Sequence, residues 1–267
     1  MIYLVEPGFK PKDINPYTGK KYTEEWILFS LVHEGNFRIM NGKGKTGVYT
    51  LRINRSQYKY WQLSVMDFIE YGNFYNKNII LSLTKKELRE AEEVYGNHHY
   101  NESCLRVNEP KVIVHSTSME NWYKIKESGC LKSWNLLNYE KTEGFEEPIG
   151  RLLGDPSDFS DYIMFSDGST AGEIVVMSKE NGKLIMDEDM TYKTGVRLYF
   201  DGLKIAEDGL LIRDGCHIKV KDELPLEKYL IWKGDWKNSG LKSIMSTPEE
   251  FTEKANGIFN KLYNFDI

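Results

Sequence analysis

The order of short segments after residue 110 constrains the fold of this chain more than any other feature. Lys111–His115 is a run rich in β-branched residues, typical of a buried strand, and a helix is predicted directly after it. Several short strand patterns follow from Tyr162 onward, among them Arg197–Phe200 and His217–Val220. A strand and a helix followed by a run of strands favour an α+β fold over a doubly wound parallel sheet.

Capping patterns and alternation place the other elements. The predicted helices include one that the Thr84–Glu87 capping box opens and Gly96 closes after Tyr95, Met119–Ser128 between the cap Ser118 and Gly129, and a tail helix from Pro248 to about Tyr263. A short helix is also predicted around Thr170–Ser178, and Gln57–Tyr71 carries apolar residues at helical spacing. Alternating apolar and polar residues predict a strand over Val48–Asn54, and Lys183–Met186 is predicted as a further short strand.

A polar, turn-rich stretch divides the chain. Gly96–Pro110 carries this composition, and the character of the sequence changes after it. We therefore expect a mixed N-terminal α+β region over residues 1–108, whose role the sequence does not assign. Residues 109–267 are expected to form a second domain that ends in the C-terminal helix. A Gly-, Pro- and Asp-rich loop over 137–161 lies within that domain.

Composition excludes several classes of protein. A net charge of −5 gives no bulk electrostatic reason for strong nucleic-acid binding. Cys104, Cys130 and Cys216 form no CxxC pair, which predicts neither a disulfide framework nor a metal site. The neighbours His98–His99 are expected to point apart, as are Cys216 and His217 if both lie in a strand. Without a signal peptide or an apolar run that spans a membrane, a cytoplasmic protein is expected.

The stretch Lys111–Leu131 (KVIVHSTSMENWYKIKESGCL) carries the most informative motif. A strand that ends at His115 leads through a turn, Ser116–Thr117–Ser118, into the predicted helix. This resembles the His-x-Thr element of the ADP-ribosyltransferase superfamily, which includes poly-ADP-ribose polymerases, DarT-type DNA ADP-ribosyltransferases and KptA-type RNA 2'-phosphotransferases. In that superfamily the histidine binds a ribose hydroxyl of NAD, and backbone groups beside it hold the nicotinamide amide. The resemblance gives these roles to His115, Ser116 and Thr117.

Two later segments follow in the order of the same superfamily. Tyr162–Ala171 (YIMFSDGSTA) is similar to its second element, a strand followed by a helix of small residues. On that match Phe165 and Ser166 flank the nicotinamide ring. Leu224–Tyr229 (LPLEKY) resembles the ending of the 2'-phosphotransferases and DarT enzymes. The resemblance implies a split β-sheet domain of short strands with a few helices.

One departure from the superfamily concerns its catalytic glutamate. Many members use this residue to stabilise an oxocarbenium-like transition state, and here the aligned position holds His217. A histidine acts as a base towards an acceptor but lacks the fixed negative charge. Glu223 and Glu207 are the alternatives if the alignment is shifted.

The resemblance implies an enzyme that takes NAD as substrate and transfers ADP-ribose to a nucleic-acid or protein acceptor. The implied NAD-binding residues are His115, Ser116, Thr117, Asn121 and Phe165, and the implied catalytic residues are His217, Glu223 and Ser166. An NAD-dependent RNA 2'-phosphotransferase is the first alternative, which the histidine at the third element favours. The second alternative is a degenerate pocket that binds a ligand without catalysis, while residues 1–108 contact the partner.

Overall fold

The computed structural model describes residues 1–97, 105–106, 108–139, 148, 150–151 and 154–267, which form two compact units. The first unit comprises the described parts of Met1–Tyr100, Leu153–Phe159 and Arg213–His217. The second comprises the described parts of Asn101–Leu152, Ser160–Ile212 and Ile218–Ile267. The boundary predicted after residue 108 is a single cut, whereas two short segments from beyond it belong to the first unit.

The first unit is built on a five-stranded sheet. Its elements are, in chain order, β1 (Ile2–Val5), β2 (Trp26–Val32), β3 (Ile39–Lys43), β4 (Tyr49–Asn54), α1 (Trp61–Phe74), β5 (Asn78–Ser82) and α2 (Lys85–Asn97). The strand order is β1-β5-β2-β4-β3, in which the first four strands are parallel and β3 is antiparallel to β4. Strand β2 is central and buried on both faces, which explains its continuous apolar run.

Local signals of the first unit are confirmed with one exception. Strand β4 lies at the predicted position. The capping box is also formed. The backbone N–H of Thr84 donates to the Glu87 carboxylate at 2.8 Å, and the backbone N–H of Glu87 donates to Thr84 Oγ1 at 3.1 Å. The prediction that Gly96 closes α2 is wrong. The helix continues to Asn97, and Gly96 does not adopt the left-handed backbone that a terminating glycine needs.

The second unit contains several small sheets and helices. Its strands are β6 (Val112–Thr117), β7 (Cys130–Lys132), β8 (Tyr162–Phe165), β9 (Tyr192–Lys193), β10 (Val196–Asp201), β11 (Leu211–Arg213), β12 (Ile218–Lys221), β13 (Glu223–Pro225), β14 (Leu230–Asp235) and β15 (Met245–Ser246). Its helices are α3 (Met119–Ser128), α4 (Trp134–Tyr139), α5 (Ala171–Glu180), α6 (Gly202–Glu207), α7 (Leu226–Tyr229) and α8 (Pro248–Tyr263). A 3-10 helix, Ser157–Asp161, has its first three residues in the first unit and its last two in the second. Together with the first unit, this mixture confirms the predicted α+β class.

Strand β10 is the structural centre of the second unit. Two three-stranded sheets, β14-β10-β6 and β11-β12-β8, are accompanied by the two-stranded pairs β13-β7 and β15-β9. Because successive side chains of a strand face opposite sides, Leu198 and Phe200 enter one apolar core while Tyr199 enters a second core. Phe251 and Phe259 of α8 belong to that second core. Apolar packing therefore holds both faces of β10. Because β6 pairs with β10 over its whole length, this packing also fixes the position of β6, the strand that carries His115.

Two sequence predictions in the second unit are wrong. Lys183–Met186 is not a strand, because the backbone N–H and carbonyl of Ile185 both bond to Ser178 Oγ, at 3.0 and 3.1 Å. The strand that carries His115 does not end there but continues to Thr117, since its ladder with β10 extends to the pair Val196–Thr117. Ser116 and Thr117 are therefore strand residues and not a turn.

The caps of α3 and α8 are confirmed. Ser118 Oγ accepts from the N–H of Asn121 at 3.2 Å, and Gly129 has the left-handed φ of 71° that ends α3. Thr247 caps α8, which ends at Tyr263. The predicted loop over 137–161 is wrong at its ends, where α4 continues to Tyr139 and the 3-10 helix spans Ser157–Asp161. Its residues 140–147, 149 and 152–153 lie outside the described residues, and so does the His98–His99 pair.

Candidate functional site

The two strands that the sequence assigned to one site are adjacent. Val114 of β6 and Ser166, which follows β8, form an antiparallel bridge in which each N–H donates to the other residue's carbonyl at 2.9 Å. The Ser166 hydroxyl also lies 3.4 Å from the Val114 carbonyl. This bridge joins the sheet of β6 to the sheet of β8, so that the neighbouring His115 and Phe165 lie close together.

His115 is oriented by a backbone carbonyl of β8. Its Nδ1 lies 3.0 Å from the oxygen of Met164, and because a carbonyl only accepts, Nδ1 carries the proton. The remaining nitrogen, Nε2, is then an acceptor. The ring is half-buried and meets the Phe165 ring edge to face at 6.0 Å between centroids. A fixed tautomer and a defined ring plane are what recognition of a hydroxyl donor requires.

The surroundings of the His115 imidazole favour its neutral form. Burial lowers its pKa below the ordinary 6.5, the hydrogen bond to Met164 opposes this shift, and the positive charge of Lys179 adds to the lowering. A neutral ring has one donor and one acceptor, whereas the charged ring has two donors. The structure therefore favours the form of His115 that accepts a hydrogen bond at Nε2.

Ser116 faces the opposite side of β6 and belongs to a buried polar network. Its hydroxyl donates to Glu173 Oε1 at 2.6 Å, and the same oxygen lies 3.1 Å from Nη1 of Arg197. Glu173 and Arg197 are both fully buried, and Tyr192 donates a further hydrogen bond to Glu173. The Ser116 hydroxyl is thus bonded within the protein. The role that the resemblance gives to Ser116, holding the nicotinamide amide, therefore concerns its backbone groups.

Arg197 is the centre of that network. Burial would lower the pKa of its guanidinium, but the charge of Glu173 and the Tyr199 hydroxyl outweigh burial and raise it. Its Nη2 donates to the Gly168 carbonyl at 2.7 Å, and Nη1 donates to Thr252 Oγ1 at 3.1 Å. The sequence carried a signal that was missed: an arginine inside the apolar run of β10 implies a buried charged partner.

The other residues given by the resemblance have different surroundings. Thr117 is buried, and its carbonyl is close to Gly195, where an added Cβ would lie 2.0 Å from that oxygen. Asn121 is half-buried in the first turn of α3. Glu223 is exposed on β13, opposite Lys132 of β7, in a different ladder from β6 and β8. The structure thus groups His115 with Phe165 and Ser166 and leaves Glu223 in another ladder.

His217 belongs to the first unit, where it forms a cluster with Asp214 and Cys216. His217 Nδ1 lies 3.0 Å from Asp214 Oδ2 and 3.1 Å from Cys216 Sγ, while Nε2 lies 2.7 Å from Nδ2 of Asn41 on β3. The prediction that Cys216 and His217 point apart is wrong. Strand β12 begins only at Ile218, and the two residues lie in a preceding bend that strand alternation does not govern.

The Asp214 carboxylate shapes that bend and its electrostatics. Its Oδ1 accepts from the backbone N–H groups of Cys216 and His217, at 3.1 and 2.9 Å, and the residue is buried. Burial opposes the charged imidazolium, but Cys216 and Asp214 outweigh burial and raise the pKa of His217 well above its ordinary value. Burial, together with Cys216 and Asp214, also raises the pKa of the Tyr49 hydroxyl. Asp214 lies in none of the motifs identified in the sequence.

Comparison with known proteins gives no family for this chain. No protein-family model, no curated protein and no solved structure matches it. Among the described residues, no helix has both the length and the apolar character needed to cross a bilayer.

Proposed function

We propose that the second unit binds NAD along β6 and β8 and that the protein transfers ADP-ribose from NAD to a macromolecular acceptor. The observation that carries the proposal is the Val114–Ser166 bridge, with the His115 ring held 3.0 Å from the Met164 carbonyl. It joins the two segments that resemble the first two elements of the ADP-ribosyltransferase superfamily. The split arrangement of β14-β10-β6 and β11-β12-β8 supports the proposal further.

Each side chain of this site has a chemical role in the proposal. His115 accepts a hydrogen bond from a ribose hydroxyl at Nε2, because its Nδ1 proton is used on Met164. The half-buried Phe165 ring offers the nicotinamide an apolar face, and its edge contact with Phe200 at 5.6 Å fixes its plane. The Ser166 hydroxyl lies at the bridge between the two strands and serves the amide of nicotinamide.

The proposed reaction breaks the bond between the nicotinamide nitrogen and C1' of the ribose. The bonding electron pair leaves with nicotinamide, and an oxygen or nitrogen of the acceptor forms the new bond to C1'. The acceptor loses its proton to a general base. The resemblance implied His217 or Glu223 for this role, but His217 belongs to the first unit and Glu223 lies in another ladder, so neither is assigned as the base here. Positioning of NAD by His115 is needed whichever group serves as that base.

Calorimetry with NAD tests the pocket on the full-length chain. We expect the unaltered protein to bind NAD and His115→Ala to bind about tenfold more weakly, the effect of one lost hydrogen bond in a partly buried site. His33→Ala is the matched control, since His33 is an exposed histidine of the first unit. The proposal fails if the unaltered protein does not bind NAD or if His115→Ala binds it equally well.

Labelled NAD then separates the possible outcomes of binding. Label on the adenylate that becomes attached to protein or nucleic acid supports ADP-ribosyl transfer. Loss of a 2'-phosphate from RNA, with the label released as a small molecule, identifies the RNA 2'-phosphotransferase. NAD that is bound but never consumed identifies a binding protein, and it contradicts the proposed transferase.

A further inference from the structure

We infer that Asp214, Cys216 and His217 form a binding site for a thiophilic divalent cation of the zinc type. One oxygen, the sulfur and one ring nitrogen of these residues all lie within 4.8 Å of one another. The separations are 3.1 Å from Sγ to Nδ1, 3.2 Å from Nδ1 to Asp214 Oδ1 and 3.7 Å from Sγ to the same oxygen. No metal site was predicted from the sequence, because a mixed set of one aspartate, one cysteine and one histidine lacks the paired spacing of a CxxC motif.

These separations match those of a tetrahedral site. Bonds of about 2.0 Å to nitrogen and oxygen and about 2.3 Å to sulfur place tetrahedral ligand atoms roughly 3.3–3.6 Å apart. The observed separations lie on both sides of this range, so small side-chain rotations bring all three atoms to bonding distance. Three protein ligands leave one position open for water or an added ligand.

The segment that carries the three ligands is rigidly held. Its bend closes on Asp214 Oδ1, and Gly215 has a φ of 100°. A Cβ added at Gly215 would lie 2.7 Å from the Ser64 carbonyl of α1 and 2.9 Å from Leu51 Cδ2 of β4. The backbone between two of the ligands is therefore packed against α1 and β4 of the same unit, which limits the ordering that cation binding would require.

Asn41 has the position of an outer partner for His217. Its amide nitrogen lies 2.7 Å from Nε2, so that Nε2 of the neutral ring accepts from Asn41 while Nδ1–H points to Asp214. A cation on Nδ1 reverses this arrangement, and Nε2–H then donates to the amide oxygen after the amide turns over. Hydrogen bonds of this kind orient metal-bound histidines.

The geometry argues against a cysteine nucleophile activated by His217 and Asp214. In such a triad the nucleophile and the carboxylate bond to different nitrogens of the ring. Here Cys216 Sγ and Asp214 Oδ2 both approach Nδ1, at 3.1 and 3.0 Å. A cation needs donor atoms that converge on one point, as these do.

The sulfur, nitrogen and oxygen set favours Zn²⁺ or Co²⁺ over Mg²⁺ or Ca²⁺, and cation binding releases the Cys216 thiol proton.

Titration of the chelator-treated full-length chain with Co²⁺ tests the inference. We expect one equivalent of Co²⁺ to produce visible bands and a near-ultraviolet sulfur-to-cobalt charge-transfer band, and Zn²⁺ to displace both. Cys216→Ser should lose the charge-transfer band, whereas Cys130→Ser, the matched change at another half-exposed cysteine, should keep it. His217→Gln and Asp214→Asn should each weaken Zn²⁺ binding about tenfold or more.

A second measurement serves if Cys216→Ser does not fold. On the unaltered protein, Zn²⁺ should slow alkylation of Cys216 and leave that of Cys130 unchanged, as followed by peptide mass spectrometry. The inference is overturned by the absence of a charge-transfer band in the unaltered protein, by a band that survives in folded Cys216→Ser, or by alkylation of Cys216 that ignores Zn²⁺. None of these measurements involves NAD, so their outcome is independent of the proposed transferase.

Discussion

At the scale of single residues, the two histidines of the candidate sites are both half-buried, but their pKa values are shifted in opposite directions. His115 is near a backbone carbonyl and a lysine, so burial prevails and its pKa is lowered. His217 is near a carboxylate and a thiol, which outweigh burial and raise its pKa. Sequence patterns identify the histidines but not these neighbours, because Met164 and Asn41 are brought to the two rings by strand pairing across long stretches of chain.

The lowered pKa of His115 makes stability depend on pH. Below pH 6.5 the His115 ring becomes protonated in the unfolded chain but stays neutral in the folded protein until the pH reaches the lower folded pKa. The free energy of unfolding is therefore highest above pH 6.5 and decreases as the pH falls towards the folded pKa. His115→Asn, which keeps a donor for Met164, should lose less thermal stability than the unaltered protein between about pH 7.5 and about pH 5.5. NMR titration of the His115 ring should give a midpoint below 6.5, and a midpoint at or above that value would contradict the assignment.

The buried Arg197–Glu173 pair leads to a second prediction at this scale. Arg197→Met leaves the Glu173 carboxylate buried without its cation and should lower the free energy of unfolding by about 3–5 kcal/mol, as measured by urea denaturation. The double variant Arg197→Met/Glu173→Gln should recover part of this loss, because no net charge then remains buried. Lys124→Met, which breaks an exposed pair with Glu120, is the control and should leave stability unchanged. A double variant less stable than Arg197→Met would contradict this account.

At the scale of elements, capping signals predicted the ends of α3 and α8, although the one at Gly96 did not end α2. The boundaries of α3 and α8 follow from Ser118, Gly129 and Thr247, since a capping hydroxyl or a left-handed glycine acts on its own turn of helix. Strands β1, β2 and β3 were not predicted. Strand β1 pairs with β5, whose partner residues are more than seventy positions away, and no local pattern encodes that parallel register.

The capping box of α2 gives a prediction for one element. Thr84→Ala removes the hydroxyl that accepts from the Glu87 N–H at 3.1 Å and should cost about 0.5–2 kcal/mol of stability. Thr84→Ser keeps the hydroxyl and should cost markedly less. Chemical denaturation measures both variants, and hydrogen exchange should locate the loss of protection in the first turn of α2. Equal losses for the alanine and serine variants would show that the hydroxyl does not stabilise the helix.

At the scale of the whole molecule, the first unit is not continuous in sequence. A polar stretch separates two regions, yet the first unit also takes residues 154–159 and 213–217 from the later part of the chain. Phe159 packs edge to face on Tyr49 at 5.5 Å, which completes the first unit's core around β4. Such insertions follow from long-range packing, and neither the alternation nor the caps of a short segment specify them.

This interleaving predicts how fragments behave. A fragment of residues 1–108 lacks Phe159 and Gly215, so Tyr49 and Phe68 lose packing partners that belong to the same unit. Amide exchange in β4 and α1 should therefore be faster in the fragment than in the full-length chain, while the capped first turn of α2 should keep its relative protection because its hydrogen bonds are local. Exchange in β4 as slow as in the full-length chain would mean that the two inserted segments do not stabilise this unit. Titration with Co²⁺ provides a second measurement on the fragment. Because the fragment lacks all three proposed cation ligands, it should not produce the cobalt charge-transfer band.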